Sequence, residues 1–308
     1  MKTMLKKIID NVKENSLNLK DIEYLFSLKK KDELEKIYSL SHEINENFHE
    51  KISYESNIYY PTIYQIEDNC PTCGYRSMES RRKYTHDFIV KNVEYKLQDI
   101  KEYPISGINC YNKDISGIRE LLIILDTLSR FDDLKINVRV SNYEHIKHLD
   151  RHNIDSVIIQ TSQNKASNFN QKYNENYDEH EEKMVKYIKE NMNLKITYEF
   201  LINYNEGYTD IVDKISEIEK YDVDSIEIKG YDPFIDSPEE YNPQYTRDYI
   251  LKIISLLRIA FPTKEIKIQY ATNYNNYLED YIKLGVNTIT GIYTPHLNSK
   301  LENTDIIH

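Results

Sequence analysis

Short strand-like runs and helical patterns alternate along this chain of 308 residues, and this alternation restricts the fold more than any other feature. Eight runs, each rich in Ile, Val, Tyr or Thr, have the composition of strands. They span residues 59–66, 103–108, 134–140, 156–161, 194–203, 224–229, 265–271 and 287–293. Helical patterns lie between them at residues 115–131, 177–191, 208–221, 245–261 and 274–284. Strict alternation predicts parallel strands with helical crossovers, and eight such units predict an α/β fold of the (βα)8 TIM-barrel type.

The first fifty residues have a helical pattern of their own. Apolar positions from Leu34 to Phe48 recur at helical spacing, which predicts a stripe that packs on the main domain. No proline- or glycine-rich linker divides the rest of the chain. We therefore predict a helical extension over residues 1–54, followed by one barrel over residues 55–308.

Composition excludes several classes of partner. The formal net charge of -11 argues against binding to nucleic acid, which requires clustered Lys and Arg along the phosphate backbone. No apolar run reaches the roughly 20 residues that a membrane-spanning helix needs, and the first residues lack the apolar core of a signal peptide. We expect a cytoplasmic protein that acts on a small molecule and has no membrane partner.

The three cysteines are too few for a disulfide framework and favour a metal or redox role. Cys70 and Cys73 form a Cys-Pro-Thr-Cys motif directly after the first strand-like run, followed by Gly-Tyr-Arg. Two thiolates at this spacing on a loop can bind one metal ion or one iron–sulfur cluster. The motif alone is weak, and its position after an apolar strand makes it more specific.

Ligands of (βα)8 barrels bind where the strands end, so the loops after the strands are candidate sites. Besides the Cys70–Cys73 loop, four loops carry polar residues at predicted strand ends. They are Ser106–Cys110 after the second strand, Gln160–Ser162 after the fourth, Asn203–Gly207 after the fifth and Ile292–His296 after the eighth.

The motif and the order of the segments resemble the radical S-adenosylmethionine enzymes, in the group that contains biotin synthase, HydE, PylB and HmdB. The resemblance to this group extends over nearly the whole chain. Within the group, the overall residue pattern is most similar to that of the HmdB-type maturases of the [Fe]-hydrogenase cofactor. Five segments carry the resemblance besides the cysteines: residues 33–48, 177–187, 223–226, 256–262 and 285–291. The resemblance implies a [4Fe–4S] cluster and S-adenosylmethionine, from which the cluster generates a 5′-deoxyadenosyl radical.

The resemblance also implies roles for individual residues. Cys70 and Cys73 would be cluster ligands, and Tyr75 matches the position whose backbone contacts adenine. The family's Gly-Gly-Glu segment is matched by Ser106-Gly107-Ile108, without the carboxylate. Its Gly-x-Gly-Glu segment is matched by residues 203–206 with both glycines replaced. We expect Tyr75, Ser106, Gly107, Gln160 and Glu206 to contact the co-substrate.

The first cysteine of the family motif is missing from this chain. At the usual spacing it would fall on Ile66, and at a rarer spacing on Tyr64, and neither side chain binds iron. Our hypothesis is that Cys110 supplies the third ligand from the neighbouring strand end.

The Cys-Pro-Thr-Cys motif also has interpretations that involve no iron–sulfur cluster. The cysteines could form a zinc half-site with His86 and Cys110, a dithiol, or a turn without metal. Polar groups on loops are more often ordinary solvated surface groups than ligand-binding or catalytic groups, and this applies to Arg81–Lys83, Glu206 and His296. For the whole protein we weigh two functions: a radical enzyme of cofactor biosynthesis, and a barrel without a catalytic cluster that serves as a binding or scaffold partner in cofactor assembly.

Overall fold

The structure is a computed structural model, and it describes residues 2–13, 17–48, 51–60, 85–101, 103–112, 118–131, 133–140, 143–160, 177–202, 206–230, 245–270 and 277–292. Eight strands form a closed barrel in chain order, and every pairing for which a register is defined is parallel. The strands are β1 (Ser53–Tyr60), β2 (Gly107–Asn112), β3 (Lys135–Arg139), β4 (Ser156–Gln160), β5 (Lys195–Leu201), β6 (Ser225–Lys229), β7 (Glu265–Gln269) and β8 (Thr288–Thr290). The predicted (βα)8 barrel is confirmed.

Helices precede the barrel and separate its strands. In the described ranges they are α1 (Lys2–Lys13), α2 (Leu19–Ser27), α3 (Lys31–Phe48), α4 (His86–Ile100), α5 (Ile118–Leu128), α6 (Tyr143–Ile146), α7 (Tyr177–Asn191), α8 (Tyr208–Tyr221), α9 (Arg247–Ala260) and α10 (Leu278–Leu284). Local chemistry sets several of their ends. The side chains of Thr85 and Thr246 accept hydrogen bonds from the first turns of α4 and α9. Gly285, with φ 135°, ends α10 in a conformation that favours glycine.

The chain forms two compact units. The first unit is built from residues 1–52, 200–231 and 243–289, and the second from residues 53–199, 232–242 and 290–308. The first therefore contains the N-terminal helices together with β6 and β7, and the second contains β1 to β4. The division into residues 1–54 and 55–308 stays a prediction.

The N-terminal helices pack inside the first unit through α3. Ile37 and Ile44 of α3 are buried, as the apolar spacing predicts; Leu40 is buried too, whereas Phe48 is exposed. Polar groups of the same helix bind the last turn of α10. Ser41 Oγ donates to the Leu284 carbonyl, and Asn45 Nδ2 donates to the Ile282 carbonyl at 3.0 Å. Carbonyls at a helix end lack a partner in a following turn, so α3 supplies a donor to Leu284 and a second donor to Ile282, which also accepts from the Gly285 N–H.

The positions of the first two strands differ from the prediction. β1 begins at Ser53 rather than at Tyr59, and β2 covers Gly107–Asn112 rather than residues 103–108. Polar side chains lie on one face of both strands, at Glu55 and Asn57 of β1 and at Asn109 of β2. These side chains are buried, so an apolar pattern does not mark the strands.

None of the helices in the described ranges is both long enough and apolar enough to span a bilayer.

Candidate functional site

Polar side chains cover the inner face of the barrel strands in the second unit. Successive residues of a strand point to opposite faces, and the helices of a (βα)8 barrel lie outside. Phe200 of β5 faces the helices, because the Lys214 ammonium of α8 lies 5.5 Å from its ring centroid. Its neighbour Glu199 therefore faces the interior, and register assigns the same face to Asn109, Tyr111 and Arg139.

A chain of hydrogen bonds crosses five neighbouring strands on this inner face. Asn109 Nδ2 donates to Asn57 Oδ1 at 3.0 Å, and Asn137 Nδ2 donates to Asn109 Oδ1 at 2.8 Å. Ser156 Oγ donates to Asn137 Oδ1 at 2.7 Å and lies 3.4 Å from Thr197 Oγ1. We call these five residues the amide belt. All five are buried, and each of these bonds gives a buried polar atom a partner.

One charged pair lies on the same face, closer to the carboxyl ends of the strands. Arg139, at the end of β3, donates from Nη2 to Glu199 Oε1 at 2.8 Å. The guanidinium carbon lies 5.9 Å from the centroid of the Tyr111 ring, which is fully buried. The side chain of Glu199 is 2% exposed and that of Arg139 is 12% exposed. The pair thus places a fixed cation at the end of the barrel where ligands bind.

The inner face of the first unit is charged as well. Lys229 Nζ lies 3.7 Å from Glu227 Oε2 on β6, and Lys267 Nζ lies 3.9 Å from Glu265 Oε2 on β7. Thr288 of β8 donates to Glu265. Interiors of (βα)8 barrels are usually filled with branched apolar side chains, so ionic groups on both units indicate a barrel that is not built for packing alone.

The Cys70–Cys73 loop and Tyr75 lie outside the described residues, as do Arg81–Lys83 and His296. Their predicted roles are therefore carried forward as proposals. His86 is described. It is the first residue of α4, it is exposed, and its Nδ1 lies 3.4 Å from Asp87 Oδ1. Among the described residues, no group of three or more His, Cys, Asp or Glu side chains could hold a metal ion.

Cys110 is buried in β2 on the side that faces the helices. Its neighbours Asn109 and Tyr111 both point inward, and its register partners Ile58 and Val138 are buried apolar residues. Burial raises the pKa of the Cys110 thiol to about 12. Metal binding requires a thiolate, and this environment strongly disfavours one. The described geometry therefore argues against the hypothesis that Cys110 is a third cluster ligand.

Ser106 and Gly107 do not lie in a loop after the second strand, so that placement is wrong. Ser106 directly precedes β2, and its backbone N–H donates to the Tyr54 carbonyl near the start of β1. Gly107 is the first residue of β2 and pairs with Lys135 at the start of β3. Both residues lie at the amino ends of the strands, whereas ligands of such barrels bind at the carboxyl ends. The placement does not support a role in co-substrate binding.

Gln160 lies at the end of β4 and Glu206 lies after β5, and their contact with a co-substrate stays a prediction. Gln160 is the last residue of β4, in register with Glu199 of β5. Glu206 follows β5 and leads into α8. Its carboxylate accepts a hydrogen bond from Lys214 Nζ, which also donates to the Leu201 carbonyl. The side chains of Glu206 and Lys214 are 6% and 1% exposed.

The surroundings of Glu206 perturb several neighbouring groups. Burial lowers the pKa of Lys214, against the opposing effect of Glu206. The Glu206 backbone N–H donates to Tyr245 Oη at 3.2 Å, and Tyr245 stacks on Tyr249 at 4.5 Å between centroids. Burial raises the pKa of both tyrosines. Glu206 is thus held by several directed contacts, which a functional carboxylate would require.

Arg139, Glu199 and Tyr111 were not singled out from the sequence. Each is one polar or aromatic position in an alternating strand, and alternation alone cannot tell an inner face from a solvated one. The available signal was the placement of ionic residues at the ends of strands that a barrel fold must bury.

No protein-family model matches the chain. A relative from Methanocaldococcus jannaschii, the uncharacterized protein MJ0785, is 22% identical over 237 residues, which cover 75% of this chain and 63% of the relative. Several solved structures resemble this chain over more of its length than the relative does. HydG, the FeFe-hydrogenase maturase of Carboxydothermus hydrogenoformans, has a TM-score of 0.76 at 14% identity and covers 100% of this chain and 75% of its own.

Two further structures give the same result. Methylornithine synthase (PylB) has a TM-score of 0.75 at 17% identity, over 96% of this chain and 88% of its own. A second HydG structure has a TM-score of 0.77 at 16% identity, over 97% and 72%. At these identities the likeness shows the fold. This chain has the barrel fold of a hydrogenase maturase and of methylornithine synthase.

Proposed function

We propose that this chain is a radical S-adenosylmethionine-type protein of cofactor biosynthesis, which acts on a small molecule. The observation that carries the proposal is the likeness to HydG and PylB over at least 96% of the chain, together with a Cys-Pro-Thr-Cys motif after β1. In a (βα)8 barrel, a loop after the first strand belongs to the end where ligands bind. An HmdB-type role in maturation of the [Fe]-hydrogenase cofactor is the finer form of this proposal.

In this proposal Cys70 and Cys73 bind the iron–sulfur cluster, and the backbone of Tyr75 contacts the adenine of S-adenosylmethionine. When bound, such a cluster supplies the electron that cleaves the sulfonium group and yields the 5′-deoxyadenosyl radical. The residues fit the cluster in part. The two motif cysteines have the right chemistry, and the described residues add no third thiolate, since Cys110 faces the helices.

Glu206 and Gln160 are the proposed polar contacts of the co-substrate. Glu206 follows β5, and Lys214 holds its carboxylate in one position. Lys214 itself contacts the helix side of Phe200, so we assign it the positioning of Glu206 rather than contact with substrate. A variant Lys214→Met would leave Glu206 buried beside an apolar chain, which disfavours the charged carboxylate.

Anaerobic reconstitution with iron and sulfide tests the cluster directly. We expect wild-type protein to bind iron and sulfide with the absorption of a cluster, and S-adenosylmethionine to alter the electron paramagnetic resonance of its reduced form. Cys70→Ala and Cys73→Ala should each lose the iron, whereas Cys110→Ala should keep it. A Cys70→Ala variant that binds as much iron as the wild type would exclude this site.

A second candidate function is that of a barrel without a catalytic cluster that binds a protein partner during cofactor assembly. Two observations favour it: Ile66 stands where the family's first cysteine falls, and Cys110 does not face the interior. This alternative predicts that wild-type protein stays free of iron after reconstitution. It also predicts that Cys70→Ser and Cys73→Ser leave the affinity for that protein partner unchanged.

A further inference from the structure

The side chain of Arg139 is only 12% exposed, and the neighbouring contacts do not require a cation at this position. The amide belt below it is linked by its own neutral hydrogen bonds. The outer face of β3 is apolar at Val138, so Arg139 does not stabilise the helix layer. Burying an ion pair seldom stabilises a protein more than apolar packing would. A charge kept in such a place is a candidate for ligand binding.

The guanidinium of Arg139 is held in orientation but incompletely hydrogen-bonded. Tyr111 lies on one side of it, and Glu199 accepts from Nη2. Nε is buried and has no hydrogen-bond partner within the part of the chain that the structure describes. A guanidinium has five N–H donors in a rigid plane, and a buried donor without an acceptor destabilises the fold. The Nε–H group is therefore a hydrogen-bond donor that has no acceptor among the described residues.

We propose that Arg139 binds the carboxylate of a small-molecule substrate through its Nε edge, while Tyr111 and Glu199 fix the plane of the guanidinium. Planar carboxylates match the parallel donors of an arginine edge. The inference deepens the proposed function by naming a substrate class, and it rests on that function only for the existence of a substrate.

The neighbouring charge selects a singly charged anion. Glu199 already neutralises Arg139 at 2.8 Å, so a ligand at the Nε edge experiences attraction from the guanidinium and repulsion from the carboxylate. Because the pair is nearly neutral, a dianion such as a phosphate monoester gains little net attraction for the larger cost of removing its charge from water. A monocarboxylate gains the planar hydrogen bonds at the smaller electrostatic cost. S-adenosylmethionine also has a carboxylate, but the family resemblance implies that this group binds the cluster iron.

Nuclear magnetic resonance of the arginine Nε–H groups tests the site in protein without iron. The Arg139 signal is identified by its loss in Arg139→Lys, or by its shift in Glu199→Gln should the lysine variant fail to fold. Benzoate, benzamide and phenylphosphonate are then titrated at constant ionic strength. Arg130→Lys is the matched control, because Arg130 forms an exposed pair with Glu94 at 3.0 Å.

We expect benzoate to shift the Arg139 Nε–H signal in a saturable way, and benzamide to leave it unchanged. Glu199→Gln should tighten benzoate binding several-fold, because the repulsive charge is removed. Arg130→Lys should leave the benzoate shift at Arg139 in place. The proposal is overturned if benzoate causes no saturable shift, or if phenylphosphonate binds more tightly than benzoate.

A last arm separates the substrate from the co-substrate. S-adenosylmethionine added first should leave the benzoate shift in place. If it abolishes the shift, the Arg139 site belongs to the co-substrate and the assignment to substrate is wrong. None of these signals requires a cluster. Failure of the wild-type protein to bind iron would therefore refute the proposed function and leave the carboxylate site standing. Absence of the benzoate shift would refute the carboxylate site and leave the proposed function standing.

Discussion

Arg258 shows how one buried side chain can join several segments of the chain. It is fully buried on α9, and its Nη1 donates to the carbonyls of Pro262 and Lys264 at 2.9 and 2.8 Å. Its Nη2 donates to the Gly285 carbonyl at 2.6 Å and to Asn287. These hydrogen bonds join the end of α9 to the segments that contain Lys264 and Gly285.

Arg258→Met should be among the most damaging substitutions in the first unit. The methionine fills part of the volume but leaves several buried carbonyls without donors, so we expect a loss of about 3–5 kcal/mol in the free energy of unfolding. Urea unfolding followed by circular dichroism measures it. Arg247→Met on the same helix is the control, since Arg247 pairs with Asp280 near the surface and should cost at most about 1 kcal/mol. Equal losses in the two variants would contradict the assignment.

Lys252 should make stability depend on pH. Its Nζ donates to the carbonyls of Phe26 and Leu28, and burial, with Lys29 as a second cause, lowers its pKa to about 8. The unfolded chain keeps a pKa near 10.5, so between pH 8 and 10.5 the unfolded state binds more protons. The free energy of unfolding of the wild type should therefore rise with pH across this window relative to Lys252→Met.

Urea unfolding at pH 7, 8.5 and 10 measures this difference. The neutral amine still has two N–H donors for the two carbonyls, so deprotonation removes the charge without removing the bonds. Other groups titrate alike in the wild type and in Lys252→Met, so their effects cancel. A difference between the two proteins that stays constant across the three pH values would show that Lys252 titrates normally.

At the scale of elements, the amide belt fixes the register of β1 to β5. A shift of one residue would turn every side chain of a strand to the other face. Asn109, for example, would exchange places with Cys110 and bring an apolar side chain into a hydrogen-bonded row. The belt thus specifies the alignment of strands that carry few branched apolar residues on their inner face.

Asn109→Ala should lower the free energy of unfolding by about 1–3 kcal/mol, because Asn57 and Asn137 each lose a buried partner. Asn137→Ala should cost a similar amount, and the double variant should cost less than the sum, with a coupling of at least about 0.5 kcal/mol. A double-mutant cycle by chemical unfolding measures the coupling. Strict additivity would mean that the two amides do not act as one row.

The elements were predicted to different accuracy, and burial explains the difference. The bounds of α7 and α8 agree with their helical patterns, because each helix has one buried and one solvated face. β1 and β2 were misplaced, since the inner positions of these strands are polar. This shift also put Ser106 and Gly107 at the wrong end of β2.

The candidate site was predicted in part. The location of Glu206 after β5 follows from the order of elements, which sequence patterns give well. The pairing of Arg139 with Glu199 does not, because the two residues lie 60 positions apart and meet only when β3 and β5 curve around one interior. Contacts across a barrel depend on strand register and on the curvature of the sheet, and local sequence periodicity determines neither.

At the scale of the whole molecule, the N-terminal helices belong to the folding of the first unit. Asn45 of α3 donates to Ile282 and accepts from Asn287 at 3.1 Å, and His42 Nδ1 lies 3.0 Å from the Lys283 carbonyl. A chain that begins at residue 51 should therefore lose cooperative unfolding of this unit and hydrogen-exchange protection of α10. Mass spectrometry of exchanged peptides measures the protection. The exposed substitution Glu46→Ala is the control and should change neither.

The seclusion of Cys110 has a practical consequence for chemical labelling. A thiol with a pKa of about 12 and no exposed surface does not react with maleimides or iodoacetamide while the protein stays folded. Any adduct formed on the native chain must then be carried by Cys70 or Cys73, the other two cysteines of the sequence. Labelling experiments on the wild-type protein therefore need no prior removal of Cys110 as a background cysteine.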